Sequence, residues 1–291
     1  MSHVVMCHGI GYQYKHRETS LTEWYGALRT SMSDAAHPVP EPERVSAVFY
    51  GNCYRSLNTK SAGTDDEFAD IPPLRAGDVR DPVESALLDV FAQGTEAPAP
   101  GGKGATQAAL RRLERSEALG RPSSRVVIWL VRQVRRYLDA DDTVRACAQQ
   151  RFARVVTPDT KVVVAHSLGS VVAYEALCAH PEWNVDTFVT LGSPLGLGLI
   201  RERLRPAPGE DGGHTWPHVG RWINVAADED PVALVKKLGP VFGDKVEDRL
   251  VVNLPWFDPK RYVLGGHSVM RYLTTGEVAD AVAEALRAQK R

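Results

Sequence analysis

A serine stands where an apolar run stops and then restarts. Lys161-Val-Val-Val-Ala-His-Ser-Leu-Gly-Ser170 leads into Val171-Val-Ala-Tyr-Glu-Ala-Leu-Cys178, a pattern that reads as strand, sharp turn and helix. Residues 165–169 fit G-x-S-x-G with Ala165 in place of the first glycine, so Ser167 is presented at the carboxyl end of a strand as a candidate nucleophile. The small residues Ala165 and Gly169 give the strand and helix room to approach around a strained backbone. The helix that follows points its unpaired N–H groups at the serine, which makes the N–H of Leu168 one candidate donor to an oxyanion.

An alcohol attacks a carbonyl poorly unless a base takes its proton, and histidine suits that task at neutral pH. Of the nine histidines, His267 is chosen as the base: it lies late, after the last predicted strand, in a Gly265-Gly266 loop that permits close approach. The base needs an acid to fix its tautomer. Asp228 and Asp230 both follow a predicted strand ending at Ala226. Asp230 is preferred because Pro231 stiffens the chain behind it, and Asp228 is the alternative. A second oxyanion donor is expected from His8-Gly-Ile-Gly11 after the first strand, with the N–H of Ile10 first and Gly11 as fallback. His8, Gly9, His166, Ser193 and Trp129 are expected to contact substrate.

Together, His8-Gly-Ile-Gly11, Ala165-His-Ser-Leu-Gly169, Leu191-Gly-Ser-Pro194, Asp230-Pro-Val232 and Gly266-His267-Ser268 make the chain resemble the α/β-hydrolase superfamily, specifically lipase- or esterase-like serine hydrolases with an H-G-x-G loop. The order Ser167, Asp230, His267 is the order of that superfamily's triad. The resemblance covers roughly residues 3–51 and 160–290. It implies cleavage of a carboxylic ester through an acyl-enzyme on Ser167. The same triad serves a thioesterase, a serine peptidase or amidase, or an acyltransferase, and a non-catalytic hydrolase-like interaction module is the reading of another class. The leading antiparallel strands usual in the family have no counterpart here.

The elements that must position these residues follow from periodicity. Strands are predicted at His3–Cys7, Val45–Tyr50, Val185–Leu191, Arg221–Ala226 and Arg249–Val252, besides the run before Ser167. A helix of about three turns is expected from a capping box at Ser20-Leu-Thr-Glu23, and another from Pro231 to Leu238. About six strands with helices between most of them predict an α/β fold with a mostly parallel sheet, in one domain spanning residues 1–291. Residues 52–150 break the rhythm and read as a partly helical insertion, a lid or cap. Within it, helices are predicted at Val83–Phe91, Thr106–Leu119, around Arg125–Leu138 and from Asp142 toward Val155. Asp65–Glu67, Pro72-Pro73 and Ala97–Gly104 read as loop, and Gly102-Lys-Gly104 as linker, since no strand precedes it and no Lys-Ser/Thr ends it. The arginines at 132, 135 and 136 are expected to face solvent.

With 35 Lys and Arg against 36 Asp and Glu among 291 residues, no global charge draws the chain to nucleic acid. Neither a secretory signal nor a transmembrane segment is visible. His214-x-x-x-His218 has the spacing of a helical metal pair, but Pro217 and Gly212-Gly213 oppose a helix, so no metal or other cofactor is expected. Cys7, Cys53, Cys147 and Cys178 show no C-x-x-C spacing, and two lie in apolar strand or helix stretches. Reduced thiols and a cytoplasmic location are expected.

Overall fold

The computed structural model describes residues 3–13, 15–55, 73–93, 105–115, 123–139, 143–210, 212–253 and 265–287. The segments expected as loop at 65–67 and 97–104, and Pro72, lie outside these residues. The strands are β1 (His3–Cys7), β2 (Val45–Val48), β3 (Thr160–His166), β4 (Thr187–Leu191), β5 (Arg221–Ala227) and β6 (Val246–Val251). All pair in parallel in the order β2-β1-β3-β4-β5-β6. Parallel sheets are buried on both faces, and the valine-rich runs of β1 and β3 meet that demand. Val5, Cys7, Val163, Ala165 and Phe188 point into one core. Their alternates Val4, Met6, Val162, Val164 and Val189 point into the other, as the two-residue repeat of a strand requires.

Ten α-helices among the described residues flank this sheet: α1 (Arg17–Asp34), α2 (Pro82–Gln93), α3 (Ala105–Arg115), α4 (Ser124–Leu138), α5 (Thr143–Ala153), α6 (Leu168–Ala179), α7 (Gly198–Arg201), α8 (Gly239–Phe242), α9 (Val269–Leu273) and α10 (Gly276–Arg287). The molecule is therefore an α/β fold with an open, all-parallel sheet. Trp24, Leu28 and Met32 of α1 and Val278 and Val282 of α10 cover one face. Val134, Tyr137, Phe152 and Val172 of α4, α5 and α6 cover the other. The chain leaves β1 toward β2 on one side and returns at β3 on the other. The loops after β1 and β3 therefore diverge at a topological switch point, where open α/β sheets form a crevice.

Three expectations are corrected here. The first helix starts at Arg17 and runs 18 residues. Ser20 is inside it, its hydroxyl donating to the His16 carbonyl at 3.0 Å, so the Ser20–Glu23 pattern is not a cap. Residues 231–238 form no helix. Lys236 Nζ donates to the carbonyls of Ala227 (2.6 Å) and Asp230 (2.7 Å), and these side-chain bonds fold the segment back on itself in place of a helical ladder. The arginines of α4 do not simply face water: Arg132 pairs with Glu84 at 3.2 Å, and Arg135 with Asp81 at 2.8 Å and Asp139 at 2.6 Å. Two of these contacts tie α4 to α2 and to the residue just before it.

Cys7 and Cys178 are free, but Cys53 and Cys147 are joined in a disulfide. Such bonds persist in oxidising surroundings, so cysteine usage no longer argues for a reducing compartment. Among the described residues no helix is long and apolar enough to cross a membrane.

Candidate active site

Ser167 lies between β3 and α6 with φ 55° and ψ −133°. A non-glycine residue at positive φ costs about 1–3 kcal/mol and persists only where its surroundings enforce it. Here they do. The Ser167 N–H donates to Leu191 O at 3.0 Å, and its carbonyl accepts from the Ser170 hydroxyl at 2.6 Å. That hydroxyl also meets the Ser193 hydroxyl at 2.7 Å. A side chain on Gly169 would collide with the carbonyl oxygens of Cys7 and His8, so the glycine allows α6 to sit directly against the end of β1.

The Ser167 hydroxyl lies 2.8 Å from His267 Nε2, and His267 Nδ1 lies 2.8 and 2.9 Å from the two carboxylate oxygens of Asp230. With Nδ1–H donating to the carboxylate, Nε2 is left to accept the serine proton, the arrangement a general base requires. Residues 100 and 37 positions apart are thus within hydrogen-bond reach, all buried. Asp230 is further fixed by the Tyr272 hydroxyl, which donates to Oδ2 at 2.6 Å, and by the N–H groups of Val232 and Ala233, which donate to Oδ1 at 2.8 and 3.2 Å. Burial by itself would raise its pKa. The facing His267 and these hydrogen bonds outweigh burial and hold the carboxyl at about 2. Asp228, the alternative acid, is exposed.

The loop after β1 abuts the serine: a Cβ added to Gly9 would come within 2.7 Å of Ser167 Cβ. Leu168 opens α6, so its N–H is one of the first four that lack an intrahelical acceptor. Ile10 and Leu168 both line a cavity with Ser167 and His267. Gly11, the fallback donor, is engaged elsewhere, its N–H donating to Gln133 Oε1 at 3.2 Å.

Of the residues expected to contact substrate, Gly9 sits against the serine, while His8, His166, Ser193 and Trp129 are held by partners of their own. His8 is buried; its Nδ1–H donates to Gly9 O at 2.6 Å and its Nε2 accepts from the N–H groups of Tyr50 and Gly51 at 3.0 and 3.2 Å. Burial lowers its pKa to about 3. His166 donates from Nε2 to the His267 carbonyl at 2.8 Å, and burial lowers its pKa to about 3 as well. It braces the histidine loop. Ser193, besides meeting Ser170, accepts from Leu195 N–H at 3.2 Å. Trp129 packs with Val126 and Leu130 against Ile10 and Leu74.

Much of the cavity wall comes from the helices between β2 and β3, namely Phe91 of α2, Leu113 of α3, and Val127, Leu130, Val131 and Val134 of α4, with Pro194, Pro231 and Val232 completing it. This hollow is lined almost wholly by apolar side chains and opens to solvent. Its periodicity on α4 was visible in sequence as an apolar face, but nothing marked which neighbour it served. Tyr272, Ser170 and Gln133 also escaped the sequence reading. Tyr272 sat in an apolar-periodic segment, and the partners of the other two are fixed only in three dimensions. No family model, curated protein or solved structure matches the chain.

Proposed function

We propose that this chain is a serine hydrolase of the α/β-hydrolase type, cleaving carboxylic esters with an apolar acyl group. The observation that carries the reading is the continuous line Ser167 Oγ, His267 Nε2, His267 Nδ1, Asp230 at hydrogen-bond distances, at the edge of a cavity with apolar walls. Ser167 Oγ attacks the ester carbonyl while His267 Nε2 takes its proton, and Asp230 stabilises the resulting imidazolium. The oxyanion is received by the N–H groups of Ile10 and Leu168, each worth about 3 kcal/mol by mutational precedent. His267 then hands its proton to the departing alcohol, leaving the acyl group on Ser167. A water deprotonated by His267 attacks this acyl-enzyme, and the carboxylic acid departs as Ser167 recovers its proton.

The apolar wall of α2, α3 and α4 suits the acyl side, since burying alkyl carbon gains roughly 0.8 kcal/mol per methylene. The strain held at Ser167 also supports a reactive role, because such backbone is retained where the surroundings over-determine it.

A fluorophosphonate probe tests the reading. Labelling of the intact protein, with no labelling and no ester turnover by Ser167→Ala, is the expected result. Equal labelling of both proteins would refute it. Thioester, amide and ester substrates sharing one acyl group, run side by side, identify the leaving group.

A further inference from the structure

The loop that carries Ile10 is held from both sides, and one of the holding groups belongs to the insertion. The Gly9 carbonyl accepts from His8 Nδ1–H at 2.6 Å and from the Tyr50 hydroxyl at 3.2 Å. In a trans peptide the C=O and the following N–H point in opposite directions. Fixing the Gly9 oxygen toward His8 and Tyr50 therefore fixes the Ile10 N–H on the other side of the chain. The next peptide is fixed at its N–H: Gly11, at φ +90°, donates to Gln133 Oε1 at 3.2 Å. Both peptide planes flanking Ile10 are thus held by side chains, His8 from the loop itself and Tyr50 and Gln133 from outside it.

Gln133 is a notable source for the second restraint. It lies on α4 and is 3% exposed, and its own carbonyl accepts from the Tyr54 hydroxyl at 3.1 Å. Its Nε2 is buried, with no hydrogen-bond partner among the described residues. A buried amide with one orphaned end is a poor choice for stability, where an apolar side chain of the same shape would avoid the cost. The acceptor end is what the position uses. A neighbouring stretch of the same helix, Leu130, Val131 and Val134, walls the cavity.

We propose that Gln133 is a positioning residue for the oxyanion hole: by holding Gly11 N–H it locks the Ile10 N–H toward the carbonyl oxygen of an ester bound at Ser167. The insertion thereby sets the geometry of the reaction centre as well as walling the acyl side. This inference rests on the hydrolase reading above. It makes Gln133 act through Ile10, with no contact to substrate.

The test compares the intact protein with Gln133→Met, which keeps the volume and removes the acceptor, with Gln133→Glu, which keeps an acceptor oxygen, and with Gln133→Asn, which draws the acceptor oxygen back from Gly11. For each, kcat and KM are measured on one alkyl ester, with the inhibition constant of the trifluoromethyl ketone of the same acyl chain and the melting temperature. The ketone adds Ser167 to form an oxyanion, so it reports the hole directly. Gln133→Met is expected to lose about 10- to 100-fold in kcat and a similar factor in ketone affinity, with KM within about twofold. Gln133→Glu should recover most of the loss. If Gln133→Met does not fold, Gln133→Asn is read in its place: a parallel fall in kcat and ketone affinity supports the proposal, and unchanged values overturn it. Retained ketone affinity in a folded Gln133→Met, or a loss confined to KM, overturns it while leaving the hydrolase reading intact. An intact protein that neither turns over ester nor takes up fluorophosphonate overturns both.

Discussion

His8 and His166 lie beside the Ser167–His267 pair without joining it. Each is buried and neutral, serving as a strut: His8 between the Gly9 carbonyl and the N–H groups of Tyr50 and Gly51, His166 under the His267 carbonyl. Their pKa values, lowered by burial to about 3, have a measurable consequence. In the unfolded chain an imidazole titrates near about 6.5. Below that pH the unfolded state therefore binds protons that the folded state refuses. The stabilising contribution is complete above pH 6.5 and is lost progressively as pH falls toward 3. At pH 5 the loss is about 2 kcal/mol for each ring. Asp230, held at about 2, adds its own loss only below about pH 4. Urea unfolding at pH 7 and pH 5 should thus differ by up to about 4 kcal/mol, and equal stabilities would show that these rings are not buried in the neutral form.

At the scale of elements, α4 is the piece that connects the insertion to the sheet. One face packs on the main core through Ile128, Val131 and Val134, and its arginines pair with Glu84 and Asp81 on or beside α2. The α4 share of the cavity wall and the Gly11 contact come from one stretch, residues 127–134. On the proposed ester hydrolysis, a bulkier residue on that wall should shorten the acyl chain accepted. For Val131→Phe, the ratio of kcat/KM for a long over a short alkyl ester is expected to fall about tenfold, in line with the modest discrimination a few methylenes give. An unchanged chain-length profile would place the acyl group elsewhere. The strain at Ser167 belongs to this scale as well, because the close contact of α6 and β1 over Gly169 is what holds it.

Across the whole molecule, the disulfide between Cys53 and Cys147 closes the base of the insertion, joining residues 94 positions apart. Cys53 sits in the turn Gly51–Tyr54, next to the Gly51 N–H that meets His8, and Cys147 lies on α5. Closing so long a loop removes entropy from the unfolded chain, typically about 2–4 kcal/mol. Reduction, or paired Cys53→Ser and Cys147→Ser substitution, should lower the unfolding free energy by that amount in denaturant titrations. A reduced protein as stable as the oxidised one would refute the bond's structural role. The switch in sheet order between β2-β1 and β3-β4 is the other property of the whole: it lies between the strands whose loops carry Ile10 and Ser167.

Residue types and their order carried the centre of the site. The apolar run broken at Ser167, a histidine after glycines, and an aspartate before a proline could be read from the chain because each reflects a local backbone demand. The parallel sheet was legible for the same reason: strands buried on both faces must be runs of valine and its like. What the sequence could not hold was direction and partnership. Whether Asp228 or Asp230 faces His267, that His8, His166 and Ser193 brace its neighbours, that Tyr272 holds Asp230 and that Gln133 holds Gly11 depend on contacts between segments far apart in the chain. The same holds for the arginines of α4 and the cysteines at 53 and 147, whose solvent-facing and reduced readings assumed no neighbour. Such contacts are decided by how helices and loops pack on the sheet, a property of the folded chain that no local pattern encodes.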